Sequence, residues 1–236
     1  MAFLDVQNLH KDFKLHILNG KEIAALEDVS FTMEQGDIVG LTGKSGSGKS
    51  SLMKCIYGTY LCNSGHMWYE SEHYGQVDLA NADEHTILSI RKHEMTYCSQ
   101  FLRVIPRVPA VEVVAESLIY KGIPEDKALN TAREYIEALG LPKELWDAYP
   151  STFSGGEQQR INVAQAIIAR PRFLLIDEPT ASLDQKTKDI VIEMILDLKK
   201  SGTSVVLISH DTYALEKMSS RRLHLAGGRI KEVAVA

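Results

Sequence analysis

The sequence predicts an α/β fold: a largely parallel core sheet, an antiparallel β subdomain ahead of a glycine loop, and an α-helical subdomain inserted at residues 101–154. Three observations carry that prediction. A short apolar run at residues 37–42 enters the glycine loop and leaves it as a helix-compatible stretch. Uninterrupted apolar runs at residues 173–176 and 205–208 lead into Asp177 and Glu178 and towards His210, as strands buried on both faces of a parallel sheet do. Apolar residues recur at helical spacing over residues 111–139, whereas residues 3–33 read as short strands with turn signals.

Composition suits a single domain of this kind. The 236 residues can bury an adequate core, and 44% hydrophobic with 24% charged residues is an ordinary globular balance. A net charge of -5 gives no support for a nucleic-acid surface. No apolar run reaches the roughly 18 residues of a membrane span, so no direct membrane insertion is expected. The first residues lack the basic-then-apolar pattern of a leader. Cys55, Cys62 and Cys98 have no metal-ligand spacing and are expected to be reduced, which points to a cytoplasmic location.

Taken in order, residues 3–6, 15–18, 23–26 and 29–33 read as strands, with Asn19 and Gly20 as a hairpin turn. Phe13 falls on this sheet, where its ring would either stack on a purine or fill the core. Gly43, Lys44, Ser45, Gly46, Ser47, Gly48, Lys49 and Ser50 then follow the spacing Gly-x4-Gly-Lys-Ser of a P-loop. In such a loop successive backbone N–H groups converge on an anion, and the following helix adds its partial positive charge. Lys49 would reach the β- and γ-phosphates, and the Ser50 hydroxyl would ligate Mg2+.

After a strand at residues 66–69, residues 70–91 show little pattern, and His66, His73, His85 and His93 read as solvated. A strand at residues 95–100 ends in Gln100. Helices follow at residues 111–120 and again up to Gly140, with Leu129, Ala132, Ile136 and Leu139 on one face. Ser154 and Glu157 form a capping box for a helix at residues 158–169. That box does not explain Gly155 and Gly156, since glycine costs up to about 1 kcal/mol in a helix interior; their use would be to let backbone N–H groups approach a phosphate. At the end of the next strand, Asp177 would orient Mg2+. Glu178, held extended by Pro179, would polarise the attacking water. His210 would either hydrogen-bond a γ-phosphate or be an ordinary exposed residue.

In this order, residues 43–50, Gln100, residues 154–158, residues 174–178, residues 182–184 and His210 resemble the Walker A, Q-loop, signature, Walker B, D-loop and H-loop motifs of the ABC-type ATPases. The resemblance implies a P-loop NTPase fold of ABC type with a RecA-like core sheet. Residues 1–100 and 155–236 would form the catalytic core with its antiparallel β subdomain, and residues 101–154 the helical subdomain. ATP and Mg2+ are the implied ligands and ATP hydrolysis the implied activity. Phe13 then matches the aromatic position that stacks on adenine, and the nucleotide-holding set extends through Ser51. Ser50, Gln100 and Asp177 would serve the metal, and Glu178, His210 and Gln100 the hydrolysis. The resemblance also implies a second ABC ATPase subunit, a related chain or a copy, in a head-to-tail dimer. There Ser154, Gly155, Gly156, Glu157 and Asp184 would meet the nucleotide held by the partner.

Residues 99–114 and 150–162 look more narrowly like the PhnL-type ATP-binding components of the phosphonate carbon-phosphorus lyase system. That likeness implies a subunit driving conformational change in a soluble complex, with the carbon-phosphorus lyase core as partner. Transporter relatives usually carry Thr near Pro109, Asn near Val113 and Leu in place of Phe153. The alternative is the ATP-binding subunit of an ABC transporter, of importer or lipoprotein-release type, coupled through a groove near Gln100 and Arg103. Arg103 and Arg107 would be partner contacts or ordinary solvated arginines. A non-hydrolysing scaffold is a third reading, and a DNA-repair ATPase is disfavoured because no long heptad insertion interrupts the chain.

Overall fold

The computed structural model describes residues 2–15, 21–103 and 106–233. Where four short strands are expected near the N-terminus there are two long ones, β1 (Leu4–Leu15) and β2 (Lys21–Met33), paired antiparallel. The breaks in the apolar pattern are bulges within these strands. Asn8 and Asp28 take φ values of 49° and 55°, and Asn8 Nδ2 donates to Asp28 Oδ1 at 2.7 Å. Two short polar side chains thus stabilise left-handed residues, and the register slips and resumes. Residues 16–20, with the anticipated turn at Asn19 and Gly20, lie outside the described residues.

β3 (Ile38–Thr42) opens the core sheet and leads to α1 (Lys49–Ile56). The chain then returns to the first sheet as β4 (Ser64–Ser71) and β5 (Gly75–Asp78), giving the order β2-β1-β4-β5. The antiparallel sheet is therefore only half built before the glycine loop. α2 (Glu84–His93) follows, capped by Asp83, whose Oδ1 accepts from the Thr86 N–H at 2.9 Å. Only Ile90 of this helix is buried, which is why residues 70–91 carry so little apolar pattern. His66 and His73, expected to be simply solvated, are half-exposed but each meets a carboxylate, at 2.7 Å from Asp78 and 3.1 Å from Glu94.

β6 (Met95–Cys98), α3 (Ala110–Tyr120) and α4 (Glu125–Ala138) come next, then two short turns of 3-10 helix and α5 (Gly155–Ile167). β7 (Phe173–Asp177), α6 (Gln185–Lys200), β8 (Ser204–Ile208), α7 (Thr212–Met218), β9 (Arg221–Ala226) and β10 (Arg229–Val233) complete the chain. The core sheet runs β10-β9-β3-β8-β7-β6, parallel except for β10. The terminal hairpin, unassigned from sequence, completes this sheet on the other side of β3.

The two faces of the core sheet belong to two apolar cores. Leu174, Ile176, Val205 and Leu207 pack with α3, α4, α5 and α6, while Phe173, Leu175, Val206 and Ile208 pack with α1 and the antiparallel sheet. Alternate residues point to opposite faces, and both faces are covered, so the runs are apolar without alternation. Among the described residues no helix is long and apolar enough to cross a membrane.

Candidate active site

The P-loop passes between β9 and β2 with no room to spare. Gly43 (φ 143°) would bring a Cβ to 2.3 Å from the Leu225 carbonyl oxygen, and Gly48 (φ 102°) to 2.3 Å from that of Ala25. Only glycine allows both the left-handed backbone and the close approach. Gly48 is also the N-cap of α1 and supplies no side-chain cap, so the first N–H groups of the helix remain for an anion. Lys49 is buried, and its Nζ donates to the carbonyls of Gly43 at 2.7 Å and Lys44 at 3.0 Å. Ser47 Oγ is buried with no hydrogen-bond partner. A glycine cradle, an uncapped helix start, an ammonium and an orphaned hydroxyl together fit a polyphosphate. Ser51 sits half-buried in the first turn of α1, and Lys44, Ser45 and Gly46 are exposed.

Ser50 Oγ donates to Asp177 Oδ2 at 3.1 Å. Burial pushes the Asp177 carboxyl above its ordinary value, against the opposing pull of Ser50 and the nearby lysines. Gln100 lies on an exposed bend after β6 and lines, with Ser50, Asp177, Lys54, Tyr60 and Arg103, a cleft of about 560 Å3. All three residues expected at the metal thus face one cleft, and their hard oxygen donors fit Mg2+. Phe13 reaches its edge indirectly: the ring is half-buried and meets Tyr60 edge-on, centroids 5.1 Å apart.

Glu178 is not extended. Its φ is 52°, in the left-handed region, despite the bias a following proline imposes towards extended backbone. Two hydrogen bonds override that bias: the Glu178 N–H donates to the Ile208 carbonyl at 2.9 Å, and its own carbonyl accepts from Gln159 Nε2 at 3.1 Å. The turned backbone brings the carboxylate to His210, whose N–H donates to Oε2 at 3.3 Å and whose Nε2 lies 3.8 Å from Oε1. Oε1 is buried without a hydrogen-bond partner, and burial raises the pKa of the group. A half-buried carboxylate with a raised pKa and a free lone pair is suited to accept a proton from water.

The predicted capping box is present, and α5 begins at Gly155 rather than at residue 158. Ser154 Oγ accepts from the Glu157 N–H at 3.4 Å, and Glu157 Oε2 accepts from the Ser154 N–H at 2.8 Å. A Cβ on Gly156 would lie 2.9 Å from the Ser182 carbonyl oxygen, so close packing explains that glycine; a Cβ on Gly155 would meet nothing within 4 Å. Asp184 caps α6, its Oδ1 accepting from the Thr187 N–H at 3.0 Å. Ser154, Gly155, Gly156 and Glu157 are absent from the cleft that holds Ser50, Gln100 and Asp177. Sequence reading did not single out Tyr60, Gln159 or Asn162. The signal for the last two was weak: they share the buried side of α5 with Val163 and Ala166, but the helix also carries Gln158, Arg160 and Gln165, so two more polar residues do not stand out.

A phosphate cradle beside a carboxylate pair, at the C-terminal ends of parallel strands, defines the class of P-loop nucleotide-hydrolysing proteins. A family model described as ABC transporter matches residues 26–181, and the chain belongs to that family. It is 34% identical to the lipoprotein-releasing system ATP-binding protein LolD of Nitratidesulfovibrio vulgaris over 89% of this chain and 88% of that one. It is 34% identical to the uncharacterized ABC transporter ATP-binding protein YbbA of Escherichia coli, over 90% and 91% of the two chains. The methionine import ATP-binding protein MetN of Rhizobium johnstonii is 32% identical over 89% of this chain, which spans 56% of it. Among solved structures, a dimeric post-hydrolysis state of the ATP-binding cassette MJ0796 bound to ADP and Pi matches with a TM-score of 0.89, 26% identity and 99% of both chains covered. The chain is an ABC-type ATPase with the cassette fold.

Proposed function

We propose that this chain is the ATP-hydrolysing subunit of a larger assembly and works by closing on a second cassette around ATP and Mg2+. Residues 1–100 and 155–236 would act as the catalytic core and residues 101–154 as the helical subdomain, on the cytoplasmic side. The P-loop with Ser51 and Phe13 would hold ATP; Ser50, Gln100 and Asp177 would hold Mg2+, which neutralises developing phosphate charge when bound. Glu178 would take the proton of the attacking water, with His210 fixing its carboxylate. The observation that carries the pairing is Gly155. Nothing in its own chain forbids a side chain there, yet it opens a helix whose first N–H groups suit a phosphate, and Ser154, Gly156, Glu157 and Asp184 stand with it outside the chain's own cleft. The dimeric MJ0796 cassette bound to ADP and Pi supports this reading.

The relatives favour a transporter partner, of lipoprotein-release or import type. The exposed side chains of Gln100 and Arg103 would lie at the surface that meets it. A second reading rests on a specific feature: residues 99–114 and 150–162 resemble the phosphonate carbon-phosphorus lyase ATPase, which would replace the permease by the soluble lyase core. Affinity capture of a Glu178→Gln variant with ATP and Mg2+, from cells grown on a phosphonate as sole phosphorus source, separates the two. Recovery of an integral membrane permease supports the first reading. Recovery of lyase subunits without a permease overturns it in favour of the second.

A further inference from the structure

Two buried amides on α5 do something that capping and core packing do not require. Gln159 and Asn162 are 5% and 6% exposed and, three residues apart, share a helix face. Gln159 Nε2 donates to the carbonyl of Glu178 at 3.1 Å, and Asn162 Nδ2 donates to the carbonyl of Ser99, the residue before Gln100, at 2.6 Å. The Cys98 thiol closes the second contact by donating to the Asn162 carbonyl at 3.7 Å. Each amide therefore grips the backbone at, or one residue before, a side chain of the hydrolysis site. A third contact lies at the start of the helix, where Gly156 abuts the Ser182 carbonyl in the loop following Glu178.

We infer that α5 is a strut that sets the positions of Glu178 and Gln100 through Gln159 and Asn162. The end of this strut is residues 154–156, so engagement of that end by nucleotide on the partner would be felt at the chain's own hydrolysis site. Glu178 is the sensitive point. Its φ of 52° is one a residue before proline avoids, and the Gln159 hydrogen bond is one of two that hold it there. Gln159 and Asn162 act through the backbone of Glu178 and Ser99, although Asn162 also lines the cleft; they are positioning residues. The inference rests on the roles proposed above for Glu178 and Gln100.

Steady-state ATPase assays on the full chain test it. Glu178→Gln and Gln100→Ala come first, and each is expected to lower kcat. If neither does, the site assignment falls, and this inference with it. Gln159→Met and Asn162→Leu remove the donors at similar volume; each should lower kcat about tenfold and leave the KM for ATP within about twofold. In a Gln100→Ala background, Asn162→Leu should add less than about twofold, whereas Gln159→Met should retain its full effect. A residue that only stabilised the fold would instead act equally in both backgrounds. If a variant does not fold, Gln159→Leu and Asn162→Ala remove the donor with less bulk and no buried charge. Folded variants with unchanged kcat, or an undiminished Asn162 effect without Gln100, overturn the inference.

Discussion

The chain opens two helices on glycine, and it treats them differently. At α1 the glycines are hemmed in: Gly43 and Gly48 each leave a would-be Cβ 2.3 Å from a backbone oxygen of β9 or β2, and no side chain caps the helix. At α5 a serine caps the helix, a glutamate completes the box, and Gly155 has open space around it. The first end is shaped by its own chain to suit an anion. At the second, the capping box ties the N–H groups of Ser154 and Glu157, and the glycine at its tip answers to something outside. The same residue type thus marks a finished half-site in one place and an unfinished one in the other.

The strongest way to break this contrast is at Lys49. Lys49→Ala should weaken ATP binding by about 100-fold or more, since charge-assisted contacts to phosphate are lost, and fluorescence titration with a labelled ATP analogue would show it. Next, Gly48→Ala imposes left-handed backbone strain and a clash on the fold itself, costing about 3 kcal/mol or more by denaturant unfolding without nucleotide. Gly155→Ala should do the reverse. Stability in the melt stays the same or rises slightly, because alanine favours helix, while turnover falls about tenfold and ATP-dependent dimerisation weakens. A Gly155→Ala chain that melts early would place the demand for this glycine inside its own chain. Smaller still, Ser154→Ala should cost about 1 kcal/mol through loss of the cap.

The smallest effect sharpens the α1 end by pH. Burial raises the Asp177 carboxyl above its ordinary 3.8. The folded state then binds the proton more tightly than the unfolded one. The stability linked to this group is fully present below the unfolded value and is lost as pH rises through the folded one. Asp177→Asn should therefore raise the melting temperature of the nucleotide-free chain by a few degrees at pH 8 and hardly at all near pH 3. A melt without that pH dependence would mean that Ser50 and the lysines already compensate the burial of the carboxylate.

Much of the site was legible because phosphate chemistry writes itself locally. The spacing of Gly43, Gly48, Lys49 and Ser50, the strand ending in Asp177 and the box at Ser154 each depend on neighbours within a few residues. What local pattern misjudged was backbone direction and paired surfaces. Pro179 predicted an extended Glu178, yet distant hydrogen bonds from Gln159 and to Ile208 turn it. The bulges at Asn8 and Asp28 looked like strand ends, and α2, burying only Ile90, fell mostly in a stretch that showed little pattern.

By itself, then, the sequence determined the α/β class, the phosphate loop, the acidic strand end and the helix start at residues 154–157, because these follow from short-range spacing and burial on both faces of a sheet. Only the tertiary structure decided that β9 and β2 clamp the loop, that Tyr60 meets Phe13, and that α5 reaches Glu178 and Ser99 through two amides. Those contacts join residues far apart in the chain, and their geometry depends on how the layers pack, which no local periodicity encodes.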